Sequence, residues 1–578
     1  MSPSFTDWPS SHLISFTVPS SSASTGISIF IDSMITTVSP SAISWPTSHS
    51  IFHTVPVMWA STSGNAASWS EGYAAAARYP RGPIGSLTVI LALDQGTTGS
   101  TAIVFDEEGR AAGRSYSEFG QHFPRPGWVE HDASEIWDVT KRVGKEALDS
   151  AGVSGRDLSG IGITNQRETV VAWDRDTGAP LHRALVWQDR RTAARCDELR
   201  EQGHEDLVRD RTGLVLDPYF SGTKIEWLIR QAGVDPARAR FGTVDSWLVQ
   251  NLCARHATDY TNASRTLLFD TQKLAWDEEL CELLGVPPDS LPEVCPSAHV
   301  YGKTDVFGGS VPVAGIAGDQ QAALYGQACH ETGQGKNTYG TGSFVLQNAG
   351  TERPPVEEGL LTTVAWGVED RVDYALEAAI FVTGAGVQWL RDGLGVIKSA
   401  GETEELARSL DSNDGVYLVP AFTGLGSPHW DPYARGTIVG LTRGSGRAHL
   451  ARAVLESIAY QAVDAVRAME EASGVELSEL KADGGAVHNS WLMGFQADVL
   501  GVPVVVPEVS ETTALGAAYL AGVATGLWTE PQVRDMWREA ARYEPRMPAA
   551  ERERLLGEWA RALGRSRGWA RNEPMQHG

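Results

Sequence analysis

The stretch Thr88-Val-Ile-Leu-Ala-Leu-Asp-Gln-Gly-Thr-Thr-Gly99 decides the fold. Its apolar run, residues 88–93, predicts a short buried strand that ends at Asp94. Residues 95–99 are a turn of small and hydroxyl residues, and 100–105 and 110–118 are predicted to be the second and third strands. The folded part of the chain therefore opens with a β-meander. The tip of its first hairpin carries an acid, two glycines and two threonines.

This hairpin tip has the chemistry of a phosphate site. Glycines let the backbone approach a ligand closely, and successive N–H groups in such a turn form a nest for anions. Threonine hydroxyls add donors, and a carboxylate at the strand end can hold a divalent cation. An ordinary hairpin with a glycine turn has the same residues, so this segment alone leaves both interpretations open. It is neither a Walker A loop nor a Rossmann fingerprint.

A related pattern occurs later in the chain. Residues 311–317 are predicted to be a buried strand and are followed by Asp319, and Gly340-Thr-Gly-Ser343 precedes another strand. This second turn is similar to Gly96-Thr-Thr-Gly-Ser100. The sequence therefore predicts two related α/β domains that face a shared cleft.

Length and composition exclude several classes of protein. The 578 residues suggest two to four domains, and the net charge of −24 makes nucleic acid and anionic membranes poor partners. No apolar run reaches 18 residues, so no membrane span is expected. The five cysteines have no C-x-x-C spacing, which disfavours a zinc site or a disulfide framework and is typical of a reducing cytoplasm.

Residues 1–88 differ from the rest of the chain. They contain 21 serines but only five charged residues and show no sustained periodicity, so this low-complexity extension is predicted to be disordered. Three interpretations stay open. The segment is a targeting peptide, a functional disordered tail, or an upstream extension with a mis-assigned start. Targeting peptides are usually rich in arginine, and this segment is not.

The residues resemble the FGGY carbohydrate kinases, and within them the members that phosphorylate glycerol, from about Val89 to about Trp569. The matching segments follow one another in order: LDQGTT at 93–98, PGWVEHD at 126–132, GITNQRET at 162–169, TGLVLDPYFSGTK at 212–224, TDYTNASRT at 258–266, GIAGDQQAALYGQ at 315–327, NTYGTGSF at 337–344, VPAFTGLGSPHWDPYARG at 419–436, LESIAYQ at 455–461, DGGAV at 483–487 and TALGAAYLAG at 513–522. The extension at 1–88 has no counterpart in the family.

The resemblance implies an α/β fold of two RNase H-like domains, as in the actin-like ATPases, with the active site in the cleft between them. The domains would be residues 89–332, on the glycerol and phosphate side, and 333–578, on the adenine-nucleotide side. The implied reaction is the Mg-ATP-dependent phosphorylation of glycerol to sn-glycerol 3-phosphate, the first step of glycerol catabolism. A cytoplasmic homo-oligomer, dimer or tetramer, is also implied.

The resemblance further assigns roles to individual residues. Asp319 is the implied general base that takes the proton as the hydroxyl attacks the γ-phosphorus; its alternative is a helix N-cap. Asp94 is the implied Mg²⁺-positioning acid, with a turn-forming aspartate as its alternative. The implied glycerol-binding residues are Arg167, Glu168, Tyr219, Asp319, Gln320 and Phe344. The implied nucleotide-binding residues are Thr97, Thr98, Gly99, Thr341, Gly384, Gln388, Gly485 and Asn489.

The sequence departs from the family pattern in several places. Thr101 stands where the family commonly has an arginine that reaches the nucleotide phosphates, and Gly99 replaces a hydroxyl residue. Because a cation near a transferring phosphoryl group affects the rate strongly, Thr101 puts catalytic efficiency in doubt. His488 replaces a small residue beside the adenosine site. Residues 306–310 lack the pattern used for inhibition by fructose 1,6-bisphosphate, so that regulation is expected to be absent or weak.

Three functions stay open at this stage. The first is phosphorylation of glycerol. The second is phosphorylation of another polyol or a ketose by an FGGY kinase, which the segments QRE, DPYFSGTK and GDQQ disfavour. The third is a non-catalytic, ATP-binding regulatory homologue, which Thr101 favours and Asp319 disfavours.

Overall fold

The computed structural model describes residues 88–571. The extension that is predicted to be disordered lies outside the described residues, apart from Thr88, and so do residues 572–578. The described residues form strands and helices in alternation, which gives the expected α/β class.

The described residues contain 24 strands. Those before residue 330 are β1 (Val89–Gln95), β2 (Gly99–Phe105), β3 (Ala111–Glu118), β4 (Gln121–His122), β5 (Glu130–His131), β6 (Leu158–Asn165), β7 (Val170–Asp174), β8 (Ala184–Leu185), β9 (Ala239–Thr243), β10 (Ala257–Asp259), β11 (Phe269–Asp270), β12 (Ala275–Trp276), β13 (Glu293–Cys295), β14 (Ala298–Thr304) and β15 (Val311–Gly318). Those after it are β16 (Gly335–Tyr339), β17 (Ser343–Gly350), β18 (Leu361–Val368), β19 (Arg371–Ile380), β20 (Tyr417–Val419), β21 (Thr437–Val439), β22 (Leu480–Gly484), β23 (Val504–Pro507) and β24 (Glu539–Tyr543).

The helices lie between these strands. They are α1 (Ala133–Ala151), α2 (Ala193–Glu201), α3 (Glu205–Thr212), α4 (Ser221–Arg230), α5 (Val244–Cys253), α6 (Tyr260–Ala263), α7 (Glu278–Leu284), α8 (Asp319–Gly326), α9 (Gly384–Gln388), α10 (Glu402–Arg408), α11 (Arg447–Ser473), α12 (Ser490–Leu500), α13 (Thr512–Thr525), α14 (Glu530–Met536) and α15 (Ala549–Ser566). Helix α11 buries one apolar face, which includes Val454, Ile458 and Ala462.

The opening β-meander is confirmed. β1 pairs antiparallel with β2, and β2 pairs antiparallel with β3. The first strand runs two residues further than predicted, through Asp94 and Gln95, because it lies between two strands. β2 pairs with it through Gln95, and β6 pairs with it on the other edge through the same residue.

Two halves of the main sheet repeat one strand order. The sheet runs β24-β23-β22-β16-β17-β19-β18-β14-β15-β6-β1-β2-β3. In the first half the order β3-β2-β1-β6-β15 has three antiparallel strands followed by two that lie parallel to β1. The order β19-β17-β16-β22-β23 repeats this arrangement in the second half.

This repeat explains the two similar turns of the sequence. Residues 96–98 join the first and second strands of one half, and residues 340–342 join the equivalent strands β16 and β17 of the other. The expectation of two related α/β halves is therefore confirmed. The half-sheets meet between β14 and β18, where Ala298 is the register partner of Val368.

Helix α13 packs closely because its residues are small. A Cβ added at Gly516 would lie 1.8 Å from the backbone oxygen of Ala322 in α8. A Cβ at Gly162 in β6 would lie 2.2 Å from the backbone oxygen of Ala517. The second-half helix α13 therefore rests directly on a strand of the first half and on α8.

Two expectations from composition concern the described residues. All five cysteines are free, as the lack of a disulfide framework predicts. Within residues 88–571, no helix has the length and apolar character that a membrane crossing requires.

Candidate active site

Two parallel neighbouring strands bring the site together. β6 and β15 lie side by side and point the same way. Residues that follow them therefore meet at one edge of the sheet, where ligands bind in open α/β sheets. Arg167 and Glu168 follow β6 after one intervening residue, and Asp319 comes directly after β15 and begins α8. Residues 152 positions apart in the sequence thus become neighbours.

Asp319 is held by Arg167 and keeps one oxygen free. The Nε atom of Arg167 lies 3.1 Å from Oδ1 of Asp319. The backbone N–H of Gln320 donates to the same oxygen at 2.8 Å. Among the described residues, Oδ2 has no hydrogen-bond or ion-pair partner, and the side chain is 34% exposed. Asp319 begins a helix, but its side chain does not cap that helix in the manner of an N-cap residue.

The rest of the Arg167 guanidinium binds a second acid. Nη1 and Nη2 of Arg167 donate to the two carboxylate oxygens of Glu377, and Nη1 also donates to Oε1 of Gln321 at 3.2 Å. Glu377 lies in β19 of the second half. Arg167 therefore links the acid of the first half to an acid of the second half.

Arg265 completes a buried clamp of charges. Its Nε donates to Oε1 of Glu168 at 2.7 Å, and its Nη2 donates to Oε1 of Glu377 at 2.9 Å. The side chains of Arg167, Glu168, Arg265 and Glu377 are each at most 2% exposed. Arg167 and Glu168 are therefore buried and do not form a surface ion pair.

The clamp shifts the pKa values of its two acids in opposite directions. Burial raises the pKa of Glu377, but Arg167 and Arg265 outweigh it and lower that pKa to about 2. Burial raises the pKa of Glu168 above its usual value, and the same two arginines oppose this change. Glu168 also has a φ of 63°, in the left-handed region that is uncommon for non-glycine residues. Such strain persists only where the surroundings fix the residue.

Aromatic side chains form one wall beside the clamp. The rings of Tyr219 and Trp187 meet edge to face at 5.6 Å between centroids. Trp187 Nε1 donates to Oγ1 of Thr97 at 2.9 Å, which connects this wall to the first turn. Burial, and next the charge of Glu168, raise the pKa of the Tyr219 hydroxyl well above its usual value, so it stays protonated.

Gln320 and Phe344 lie on the side of the second half. The side-chain carbonyl Oε1 of Gln320 accepts a hydrogen bond from Nζ of Lys336. Lys336 lies in β16 and also donates to Oγ1 of Thr338 at 2.8 Å. The ring of Phe344 lies 5.9 Å from the guanidinium carbon of Arg167. The implied glycerol-binding residues are thus in contact with one another or with shared partners.

Asp94 has the environment of a cation ligand. It lies near the end of β1, where Thr101 of β2 is its register partner. Its carboxylate has no hydrogen-bond partner among residues 88–571. Burial and repulsion from Asp319 raise its pKa to about 7, against the charge of Arg114. A carboxylate with free oxygens is a ligand that Mg²⁺ prefers, so Asp94 fits that ion.

The first turn presents its threonines at the same edge. Gly96 N–H donates to the Gly99 carbonyl at 3.0 Å, which closes the turn, and Thr98 is exposed. Gly99 is required by packing, since a Cβ there would lie 2.6 Å from the backbone oxygen of Ser117. Gly99 therefore permits the close approach of β3.

The second turn lies against α9. The N–H groups of Thr383 and Ala385 donate to the carbonyl of Thr341 at 2.9 and 3.0 Å, and Gly384 N–H donates to the carbonyl of Gly340 at 3.0 Å. A Cβ at Gly384 would lie 2.7 Å from the Gly340 oxygen. Thr341 and Gly384 are therefore brought together, with Gln388 at the end of the same helix.

Gly485 and Asn489 follow β22. Gly485 begins a 3-10 turn, and Asn489 is the N-cap of α12, where its Oδ1 accepts from Leu492 N–H at 2.9 Å. Its Nδ2 donates to Oγ1 of Thr403 at 3.4 Å. The side chain of Asn489 therefore has a clear structural role, beside which its role toward a nucleotide stays a prediction.

Two protein-family models match this chain. Residues 89–326 match the N-terminal domain of the FGGY family of carbohydrate kinases, and residues 335–525 match its C-terminal domain. The chain belongs to the FGGY family of carbohydrate kinases. The resemblance inferred from the motifs is thereby confirmed.

The matches between this FGGY kinase and individual relatives cover nearly the whole length of each relative. It is 56% identical over 490 residues to "Glycerol kinase 2" of Thermotoga maritima, which spans 83% of this chain and 99% of that protein. It is 56% identical over 491 residues to "Glycerol kinase" of Symbiobacterium thermophilum, with 83% and 99% coverage. The structure of Plasmodium falciparum glycerol kinase with ADP superposes with a TM-score of 0.80, at 35% identity, over 84% of this chain and 99% of that one.

More distant FGGY kinases share the fold. Xylulose kinase from Lactobacillus acidophilus has a TM-score of 0.76 at 21% identity, over 83% of this chain and 99% of that one. The expected two-domain, actin-like α/β fold is thereby confirmed.

Several site residues of this FGGY kinase were missed by the reasoning from sequence. Trp187, Arg265, Lys336 and Glu377 were not assigned a role. Arg265 lies inside the quoted segment 258–266, and Glu377 is a lone acid in the apolar strand ALEAAI at 375–380. A charge in a buried strand requires a partner, so Glu377 carried a usable signal. Trp187 and Lys336 carried none, because only the fold brings them to the site.

Proposed function

We propose that this FGGY kinase transfers the γ-phosphoryl group of ATP to glycerol and forms sn-glycerol 3-phosphate. The observation that carries the proposal is the pair Asp319 and Gln320 at the sheet edge. Asp319 offers a free carboxylate oxygen. The side-chain carbonyl of Gln320 already binds Lys336, so its NH₂ group is the part that can donate to a ligand. These are neighbouring acceptor and donor groups for the hydroxyls of a small polyol. The 56% identity to proteins named glycerol kinase supports glycerol as that polyol.

Asp319 acts as the general base. Its Oδ1 is occupied by Arg167 and by the Gln320 N–H, so Oδ2 takes the proton from the attacking hydroxyl. The ion pair with Arg167 fixes the direction of the carboxylate. Proton removal of this kind contributes roughly 10²–10⁴-fold to a rate.

The remaining hydroxyls of glycerol bind to the clamp and to its wall. Nη2 of Arg167 has one N–H beyond the one it gives to Glu377, and that N–H is available to a substrate oxygen. Glu168 accepts, Tyr219 donates, and the Phe344 ring covers the carbon chain. Because each buried polar group left unpaired costs about 1–3 kcal/mol, the site rejects analogues that lack a hydroxyl.

The two turns bind the phosphates of ATP. Thr97 and Thr98 of the first turn and Thr341 of the second supply N–H and hydroxyl donors, with Gly99 and Gly384 permitting close packing. Gln388, Gly485 and Asn489 lie toward the nucleoside. Asp94 would hold Mg²⁺, which when bound neutralises charge on the transferring phosphoryl group.

The proposal also includes domain closure and an oligomeric state. The domains are residues 89–332 and 333–578, and they close over both substrates to exclude water. The pairing of Arg167 with Glu377 across the half-sheets supports such coupling. As in its family, the enzyme would be a cytoplasmic homo-oligomer, a dimer or a tetramer.

A substrate panel tests this function. The purified protein is incubated with Mg-ATP and glycerol, xylitol, ribitol, xylulose, gluconate or no acceptor, and ADP release is measured. Glycerol-dependent turnover, with a product that a dehydrogenase specific for sn-glycerol 3-phosphate oxidises, supports the proposal. Preferred turnover of another polyol or ketose, or ATP binding without any turnover, contradicts it.

A further inference from the structure

Lys336 is a buried lysine in β16 of the second half, and it contacts helix α8 of the first half. Its side chain is fully buried, and its Nζ makes hydrogen bonds to Oε1 of Gln320 and to Oγ1 of Thr338. No carboxylate of the described residues lies within 4.0 Å of Nζ. The charges that surround it at longer range are the acids Asp483, Asp319 and Glu377 and the guanidinium of Arg167.

An ammonium in this position determines the orientation of the Gln320 amide. Lysine has three donors and no acceptor, so it can bind only the carbonyl end of a glutamine side chain. Rotation of the amide by 180° would place two sets of donors against each other and lose the bond to a charged group. The Nε2 of Gln320 has no partner among the described residues, and this NH₂ is therefore the end left for a ligand.

The fixed amide lies directly beside Asp319. Asp319 and Gln320 are adjacent in α8, and the Gln320 N–H binds Oδ1 of Asp319. The carboxylate presents only an acceptor at Oδ2, and the amide presents only donors. Gln320 therefore offers a ligand hydrogen-bond donors and no acceptor.

We propose that Lys336 is the positioning residue that makes Gln320 an obligate donor, and that it thereby sets the selectivity of the site for the hydroxyl group next to the one that reacts. The inference rests on the proposed function, because it assigns a selectivity device to the glycerol pocket. Lys336 itself needs no contact with glycerol. It also joins β16, which leads into the phosphate turn at 340–342, to the helix that carries the base.

The chain offers a matched control in Lys481. It is the register partner of Lys336 on the neighbouring strand β22 and is 4% exposed. Its Nζ donates to the backbone carbonyls of Gln327 and Ala328 at 2.7 and 3.2 Å. Lys481→Met therefore removes a similarly buried ammonium from the same sheet without touching Gln320.

Steady-state kinetics of the full chain test the proposal. Lys336→Met is expected to raise KM for glycerol roughly 10- to 100-fold, as for the loss of a hydrogen bond to a charged group, with KM for ATP within about twofold. It should also reduce the preference for glycerol over propane-1,3-diol, which lacks the middle hydroxyl. Lys481→Met is expected to change neither quantity, although both variants lower the melting temperature.

Two further variants keep the test decisive if Lys336→Met does not fold. Gln320→Glu keeps a bond to Lys336 but has no donor, so it is expected to lose glycerol affinity in a folded protein. Lys336→Met combined with Gln320→Ala should bind glycerol no worse than Gln320→Ala alone. Wild-type KM for glycerol in Gln320→Glu, or equal losses in Lys336→Met and Lys481→Met, would overturn the inference. Absence of glycerol turnover in the wild type contradicts the proposed function instead.

Discussion

The Nε atom of Arg167 lies 3.1 Å from Oδ1 of Asp319, while the other end of the same guanidinium binds both oxygens of Glu377. One buried side chain thus connects the proposed base, at the end of a first-half strand, to an acid in a second-half strand. The clamp also leaves Oδ2 of Asp319 as the oxygen that can take a proton. Position and reactivity of the base therefore depend on residues from both halves.

Glu377→Gln tests the clamp. The change leaves the guanidinium groups of Arg167 and Arg265 buried with one counter-charge fewer, so we expect the free energy of unfolding to fall by about 3–5 kcal/mol, together with a large loss of kcat. Urea unfolding followed by circular dichroism measures the first effect. The control is Glu553→Gln, whose pair with Arg467 is exposed and should contribute less than about 1 kcal/mol. Equal effects of the two changes would contradict the clamp.

Asp94→Asn tests the proposed cation ligand. We expect the Mg²⁺ concentration that gives half-maximal activity to rise at least roughly tenfold, with ATP binding in the absence of metal unchanged or improved, since a buried negative charge is lost. The measurement is a Mg²⁺ titration of ADP release, with isothermal calorimetry for ATP. Asp138→Asn, at an exposed position, is the control. An unchanged Mg²⁺ requirement in Asp94→Asn would remove this residue from the metal site.

Thr101→Arg tests the departure from the family pattern. Thr101 lies opposite Asp94 in the first hairpin, so an arginine there would bring a positive charge beside that carboxylate. We expect kcat/KM for ATP to stay unchanged or to rise by up to roughly tenfold. Thr101→Val, which keeps the shape and removes the hydroxyl, is the comparison. A large loss in Thr101→Arg would mean that the site is built around threonine.

Asp245→Asn tests a buried acid below the site. Burial and repulsion from Asp259 raise the pKa of Asp245 to about 7. The Thr261 hydroxyl donates to Asp259 and accepts from the N–H of Gly318, the residue directly before Asp319. The folded protein therefore holds a proton that the unfolded chain releases between about pH 4 and 7. We expect the wild type to lose stability relative to Asp245→Asn as pH rises through that range, by up to about 1.4 kcal/mol per pH unit. Parallel unfolding curves of the two proteins at pH 5, 6 and 7 measure it, and a constant difference would contradict the prediction.

The sequence was sufficient for the local elements and the family. The alternation of apolar runs and glycine turns predicted β1 to β3, and the two Gly-Thr turns predicted two related halves, because both features depend on neighbours in the chain. The motifs also indicated Arg167, Glu168 and Asp319 as site residues. What they could not show is that these residues are buried together, since that depends on the parallel pairing of β6 with β15.

The contacts between the two halves could not be predicted from the sequence. Arg265 and Glu377 are 112 residues apart in the chain. Lys336 is 16 residues from Gln320, and its strand pairs with β17 and β22 and not with β15, which precedes Gln320. Such partners are fixed by tertiary packing and leave no periodic signal. The close contact of α8 and α13 at Gly516 is another such case, because the small residues of α13 do not show which helix they pack against.

The central claim is that Asp319 is the base for phosphoryl transfer to glycerol, and single-turnover ADP formation by wild type and Asp319→Asn tests it most directly. The account predicts glycerol-dependent ADP formation in the wild type, and a loss of roughly 10²–10⁴-fold in the variant with ATP and glycerol still bound. Near-wild-type turnover in a folded Asp319→Asn protein would contradict the account.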